Sequence, residues 1–145
     1  MKKLFVTAAA LACLAAACQN AQDTNDAQAL SAKAIEIHDL IMPQVSTFDK
    51  HTVLIDSLLG NLASLKAGNP SLDTNATREQ LSTLKADLES ATDNMMTWMK
   101  EYTPDSTDAA YQQAEVDRIS QLKTAFEKAT QDAERVLVPL TPHDK

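Results

Sequence analysis

The chain of 145 residues carries 13 basic and 20 acidic side chains, a formal net charge of −7, with two glycines and two cysteines. Its length suits one domain, and its acidic excess argues against condensation on nucleic acid or on an anionic lipid surface. Abundant Ala, Leu, Gln, Glu and Lys, with no period-two run of β-branched residues, favour helix over sheet.

The chain opens on a short basic stretch, Met1-Lys2-Lys3, followed by an apolar run from Leu4 to Ala17 broken only by Thr7. That run of 14 residues matches the core of an export signal and is too short to span a bilayer as a helix. It ends in Leu14-Ala15-Ala16-Ala17-Cys18, after which Gln19-Asn20-Ala21-Gln22-Asp23 is polar. Small residues before a cysteine here resemble the lipobox of bacterial lipoproteins, although Ala15 stands where a leucine is usual. The resemblance implies that residues 1–17 are removed and that Cys18 becomes the acylated first residue, a membrane anchor. Cys13, behind Ala10-Leu11-Ala12, is a rival that leaves an apolar segment on the mature end. An ordinary signal cut after Ala17 leaves a free thiol, which is unusual in an oxidising compartment. Three acyl chains hold a protein stably on a membrane, and Gln19 in place of Asp resembles the outer-membrane sorting signal of a Gram-negative host. The mature chain keeps 11 basic against 20 acidic residues, a net charge of −9, and its single cysteine leaves none for an internal disulfide.

Residues 18–25 read as the acylated cysteine and a polar tether, at most about 25 Å long if extended. A helical domain is expected over 26–140. Its first helix, about 26–66, carries Ala34, Ile37, Ile41, Phe48, Ile55, Leu58, Leu62 and Leu65 at mostly three- and four-residue steps. Pro43 falls inside it and predicts a kink, with a full break as the alternative. Ala67-Gly68-Asn69-Pro70 stops this helix. Thr77-Arg78-Glu79-Gln80 fits a capping box and opens a second helix, 77–102, with Leu81, Leu84, Leu88, Ala91, Met95, Trp98 and Tyr102 on one stripe. After Thr103-Pro104-Asp105-Ser106, with Asp105 or Ser106 as cap, a third helix over 107–138 carries Ile119, Leu122, Phe126, Ala129, Ala133, Val136 and Leu140. Residues 141–145 are expected to fray. Three such helices on short turns predict an all-α, antiparallel up-down-up three-helix bundle.

One constellation carries possible chemistry. Met95, Met96 and Met99 surround Trp98, the single tryptophan, and Met42 follows His38 by one helical turn. If Leu65 faces Thr77, Met42 falls near Met99 and His38 near the Tyr102 level, with Tyr111 close by. The metal reading assigns His38, Met42, Met95 and Met99 as ligands of Cu(I), with Met96 in reserve and Trp98 as the covering aromatic. The alternative is plain core packing, in which thioethers fill gaps beside an aromatic ring. His51 and His143 read as surface residues. A haem held by His38 and a methionine lacks a wide apolar pocket. No metal quartet, phosphate loop or nucleophile triad occurs, and Asp87, Glu89, Asp93 and Glu101 read as a solvated face. No catalytic residue or cofactor is expected, and Cu(I) is the alternative.

Together, Ile37-His38-Asp39-x-x-Met42-Pro43 and Met95-Met96-x-Trp98-Met99 behind a lipoprotein signal resemble small helical lipoproteins of Bacteroidota, often labelled "viral A-type inclusion protein". Leu40-Ile41 stands where that family often has Glu-Val. The resemblance implies an envelope location and a helical fold, and it implies no reaction. The expectation is a non-enzymatic binding or structural lipoprotein of the outer membrane that meets an envelope protein partner.

Overall fold

A computed structural model describes the backbone of residues 6–141 and the side chains of residues 24–141. The expected anchor atom, the Cys18 thiol, lies outside the described side chains, as does the His143 imidazole. Five α-helices follow in order: α1 (Val6–Ile41), α2 (Gln44–Gly60), α3 (Leu62–Gly68), α4 (Thr74–Glu101) and α5 (Ala109–Leu137), closed by a 3₁₀ turn at Val138–Leu140. The chain is all-α, with no strand among the described residues. No helix among them is long and apolar enough to cross a membrane.

A period of seven governs burial. Ala27, Ala34, Ile41, Phe48, Ile55 and Leu62 are all buried, and they span α1, α2 and the start of α3 in steps of seven. Leu81, Leu88 and Met95 do the same on α4, as do Gln112, Ile119, Phe126 and Ala133 on α5. A sustained seven-residue repeat keeps one face of each helix turned to its neighbours, as in a coiled coil. α1 packs on α5, α2 on α4, and α4 on α5.

The long first helix is interrupted twice. Proline 43 has no amide to donate, so α1 ends at Ile41, and Met42 and Pro43 form a turn closed by Val45 N–H to the Met42 carbonyl at 3.1 Å. Pro43 keeps helical angles, φ −60° and ψ −23°, so the buried face passes from Ile41 to Phe48 without losing register. The second interruption, at Asn61, follows Gly60, the last residue of α2 and a weak helix former. There Asn61 Nδ2 donates back to the Ser57 carbonyl at 2.8 Å.

Several boundaries differ from expectation. The polar residues 19–25 are helical backbone within α1, so the helix starts well before Asp26; no Gly or Pro occurs there to stop it. α4 begins at Thr74, capped by Asp73, whose side chain accepts from the Asn75 and Ala76 amides. Thr77 is therefore buried in the first turn, and its hydroxyl donates to the Asp73 carbonyl at 2.7 Å. α5 is capped by Asp108, through the Ala110 and Tyr111 amides, and not by Asp105 or Ser106. In both cases a carboxylate satisfies amides left free at the helix start.

Candidate functional site

The heptad that builds the core also places a histidine in it. His38 lies midway between two buried residues, Ser31 and Val45, and is itself half-buried. Its ring stacks on Trp98, with centroids 5.8 Å apart, and Trp98 in turn stacks on Tyr102 at 4.5 Å. Trp98 is 2% exposed. Around these rings Ile35, His38, Trp98, Met99, Tyr102 and Pro104 line an open groove of about 220 Å³. Ile35 and Met99 are 41% and 43% exposed, so its rim is apolar and accessible.

Two nitrogens in this layer have no partner. His38 Nδ1 lies 2.9 Å from Asp39 Oδ1. A carboxylate only accepts, so in the neutral ring Nδ1 carries the proton and Nε2 presents a lone pair. That Nε2 is shut off from solvent and unbonded, and so is the Trp98 Nε1–H. Leaving a buried polar atom unsatisfied costs about 1–3 kcal/mol, which makes such atoms rare in a core built only for stability.

A polar network holds the floor of the groove. Tyr102 Oη lies 2.9 Å from both Ser31 Oγ and Gln112 Oε1; the amide oxygen only accepts, so the hydroxyl donates to Gln112. Ser31 Oγ donates to the Pro104 carbonyl at 2.7 Å. Gln112, fully buried, donates from Nε2 to the carbonyls of Thr103 and Ser106, both at 3.1 Å. Tyr111 Oη accepts from the Thr103 amide at 2.8 Å. Tyr102 and Pro104 thus reach the groove from a turn bonded to α1 and α5. Desolvation raises the Tyr102 pKa above the ordinary phenol range, so its hydroxyl stays a donor. Gln112 and Ser31 were not singled out from sequence; a buried Gln falling on a strict seven-residue row with Ile119 and Phe126 is the signal that marks it.

The helix register differs from expectation by about one turn. His38 meets Trp98, and Tyr102 meets Ser31, whereas the anticipated pairing set His38 near Tyr102 and Met42 near Met99. Near the Asp73 end the pairing still matches, with Asp56 beside Lys85; the slip opens between Asp56 and His38, the stretch that holds the Pro43 turn. His38 and Met99 share the groove. Met95 is fully buried in the core, Met42 is half-buried against it, and Met96 is 40% exposed and does not line the groove. His51, expected on the surface, is half-buried, with Nδ1 unpartnered and its pKa lowered by burial.

A groove elsewhere on the bundle, between α4 and α5 and about 330 Å³, is walled by Glu79, Asp87, Lys128, Asp132 and Arg135. Its cations are paired, since Lys128 and Arg135 both lie 2.6 Å from Asp132. No group of three or more His, Cys, Asp or Glu side chains among the described residues is placed to hold a metal ion. No family model, curated protein or solved structure matches the chain.

Proposed function

We propose that this chain is a non-enzymatic, lipid-anchored helical binding module of the bacterial cell envelope, held on the outer membrane through Cys18, and that it binds through the Trp98 groove. The single observation that carries the binding reading is the exposure of Ile35 and Met99 around a buried aromatic stack. The α4–α5 groove is walled by ion-paired charge, whereas here apolar rim and unpaired nitrogens coincide. The anchor reading rests on the sequence around Cys18.

The finer architecture belongs to the same proposal: an up-down-up bundle of three rods, the first bent at Pro43. Pairings support it. Ser31 with Tyr102, His38 with Trp98, and Asp56 with Lys85 run in opposite directions along the first rod and α4. Gln112 bonds at the Ser31 end, and Phe126 meets Phe48 further along, which is the sense of two parallel rods. Along a helical α1, Cys18 and His38 are separated by about 30 Å at 1.5 Å per residue. The groove would then face the space just above the lipid.

Two measurements test the reading. Growth on an alkyne-tagged fatty acid should label the protein, and Cys18→Ala should remove the label and release the protein from membranes. A photo-crosslinking residue at Ile35 or Met99 should capture a partner in cells, while one at Val53, an apolar residue on α2 that is 70% exposed, should not. Equal capture at all three positions, or none, overturns the groove as the surface that meets a protein partner.

A further inference from the structure

We infer that the Trp98 groove binds a monovalent soft metal ion, Cu(I), between His38 Nε2 and the Met99 thioether. The inference rests on the groove being the binding surface and names a ligand for it. Three observations lead there.

The first is the histidine. A metal-binding imidazole characteristically gives its other ring N–H to a carboxylate, which fixes the tautomer and makes the free nitrogen more basic. His38 has this arrangement, with Nδ1 2.9 Å from Asp39 Oδ1 and Nε2 buried and unbonded. Asp39 is 70% exposed, so it orients the ring from outside while Nε2 turns inward. The second is the groove that the His38 ring lines. The groove offers a thioether, Met99, and apolar or aromatic walls, and its six lining residues include no carboxylate. Such a site cannot compete for Mg²⁺ or Ca²⁺, which need several oxygens. An imidazole and a thioether instead suit Cu(I) by softness. The third is access. Met99 is 43% exposed and unbranched, so it can swing out to meet the ion and return with it. No electron is transferred: Cu(I) enters and leaves in one oxidation state.

Met96 and His51 supply controls within the same chain. Met96 is exposed yet outside the groove lining. His51 has an unbonded Nδ1 but, on α2, belongs to a different layer.

The test uses the full chain in detergent with Cys13→Ser and Cys18→Ser, so that no thiolate competes. Cu(I) is added anaerobically with ascorbate against a chromogenic Cu(I) chelator, while Trp98 emission is followed. The expected result is one Cu(I) retained per chain with quenching of Trp98. Met99→Leu should weaken retention more than about tenfold, and Asp39→Ala should weaken it by roughly 10- to 100-fold, the range for loss of an orienting carboxylate. Both side chains are exposed, so folding should persist, as helical circular dichroism will show. Met96→Leu and His51→Gln should change nothing. Absence of retention by the parent chain, or an equal loss from His51→Gln, overturns the inference. Crosslinks at Ile35 and Met99 that persist without copper retention would leave the groove a protein-binding surface and only the metal refuted. Copper retention without crosslinks would refute the protein partner alone.

Discussion

Two aromatic layers of the same core make the instructive contrast. Phe48 and Phe126 stack with centroids 4.9 Å apart, at 1% and 0% exposure, and their rings bear no polar atom. The Trp98 layer uses the same row geometry but fills it with His38, Trp98 and Tyr102, so three nitrogen or oxygen functions enter the interior. One of them, the Tyr102 hydroxyl, is fully served by Ser31 and Gln112. The other two, His38 Nε2 and Trp98 Nε1, are not. A heptad row accepts any ring of suitable size. What the ring carries decides whether that layer is a clasp or a site.

The largest effect should come from the dry layer. Phe126→Ala should destabilise the fold by about 3–5 kcal/mol, the range for emptying a buried aromatic position, read from urea unfolding. Tyr102→Phe should come next, at about 1–3 kcal/mol, because it strands Gln112 Oε1 in the interior; a loss near zero would mean that the polar floor does not hold the groove. His38→Leu sharpens the contrast most. It gives up a ring stack worth about 0.5–1.5 kcal/mol and removes an unsatisfied nitrogen, so stability should change by no more than about 1 kcal/mol in either direction. A loss as large as that of Phe126→Ala would make the two layers alike and His38 a structural residue.

The smallest effect lies outside both layers. Hydrogen bonds from Arg135 and Lys128 hold the Asp132 carboxyl below the ordinary carboxylate range. Because the unfolded chain binds that proton more tightly, the stabilisation is complete above the ordinary carboxylate range and drains away as pH falls through the lowered folded value. Asp132 is half-buried, but Lys128 and Arg135 are exposed to solvent, which screens both pairs, so Asp132→Asn should flatten the acid limb of the stability profile by less than about 1 kcal/mol. A larger change would put surface charge on a level with the aromatic layers.

Most of the helical content was legible from residue spacing. Each apolar stripe expected from periodicity is buried or half-buried, because a three- and four-residue rhythm has only one way to hide on a helix. The caps were harder. Thr77 fits a capping box as well as Asp73 fits an N-cap, and it is the bonds from the Asn75 and Ala76 amides to the Asp73 side chain that separate them. The site was set elsewhere: Asp56 still pairs with Lys85 as expected, and the slip between Asp56 and His38 brought His38 to Trp98 and left Met42 outside the groove.

By itself, the sequence determined the helical class, the rows that enter the core and the residues able to do chemistry, because periodicity and side-chain type are local properties. It also carries the case for the Cys18 anchor, which rests on a linear signal and needs no fold. Only the tertiary structure decided which of those residues meet. Helix register depends on the summed geometry of caps, turns and breaks, and each helix can slide by a turn and still bury its stripe. The partner of His38 was therefore settled by packing, and with it the groove that His38 and Met99 both line.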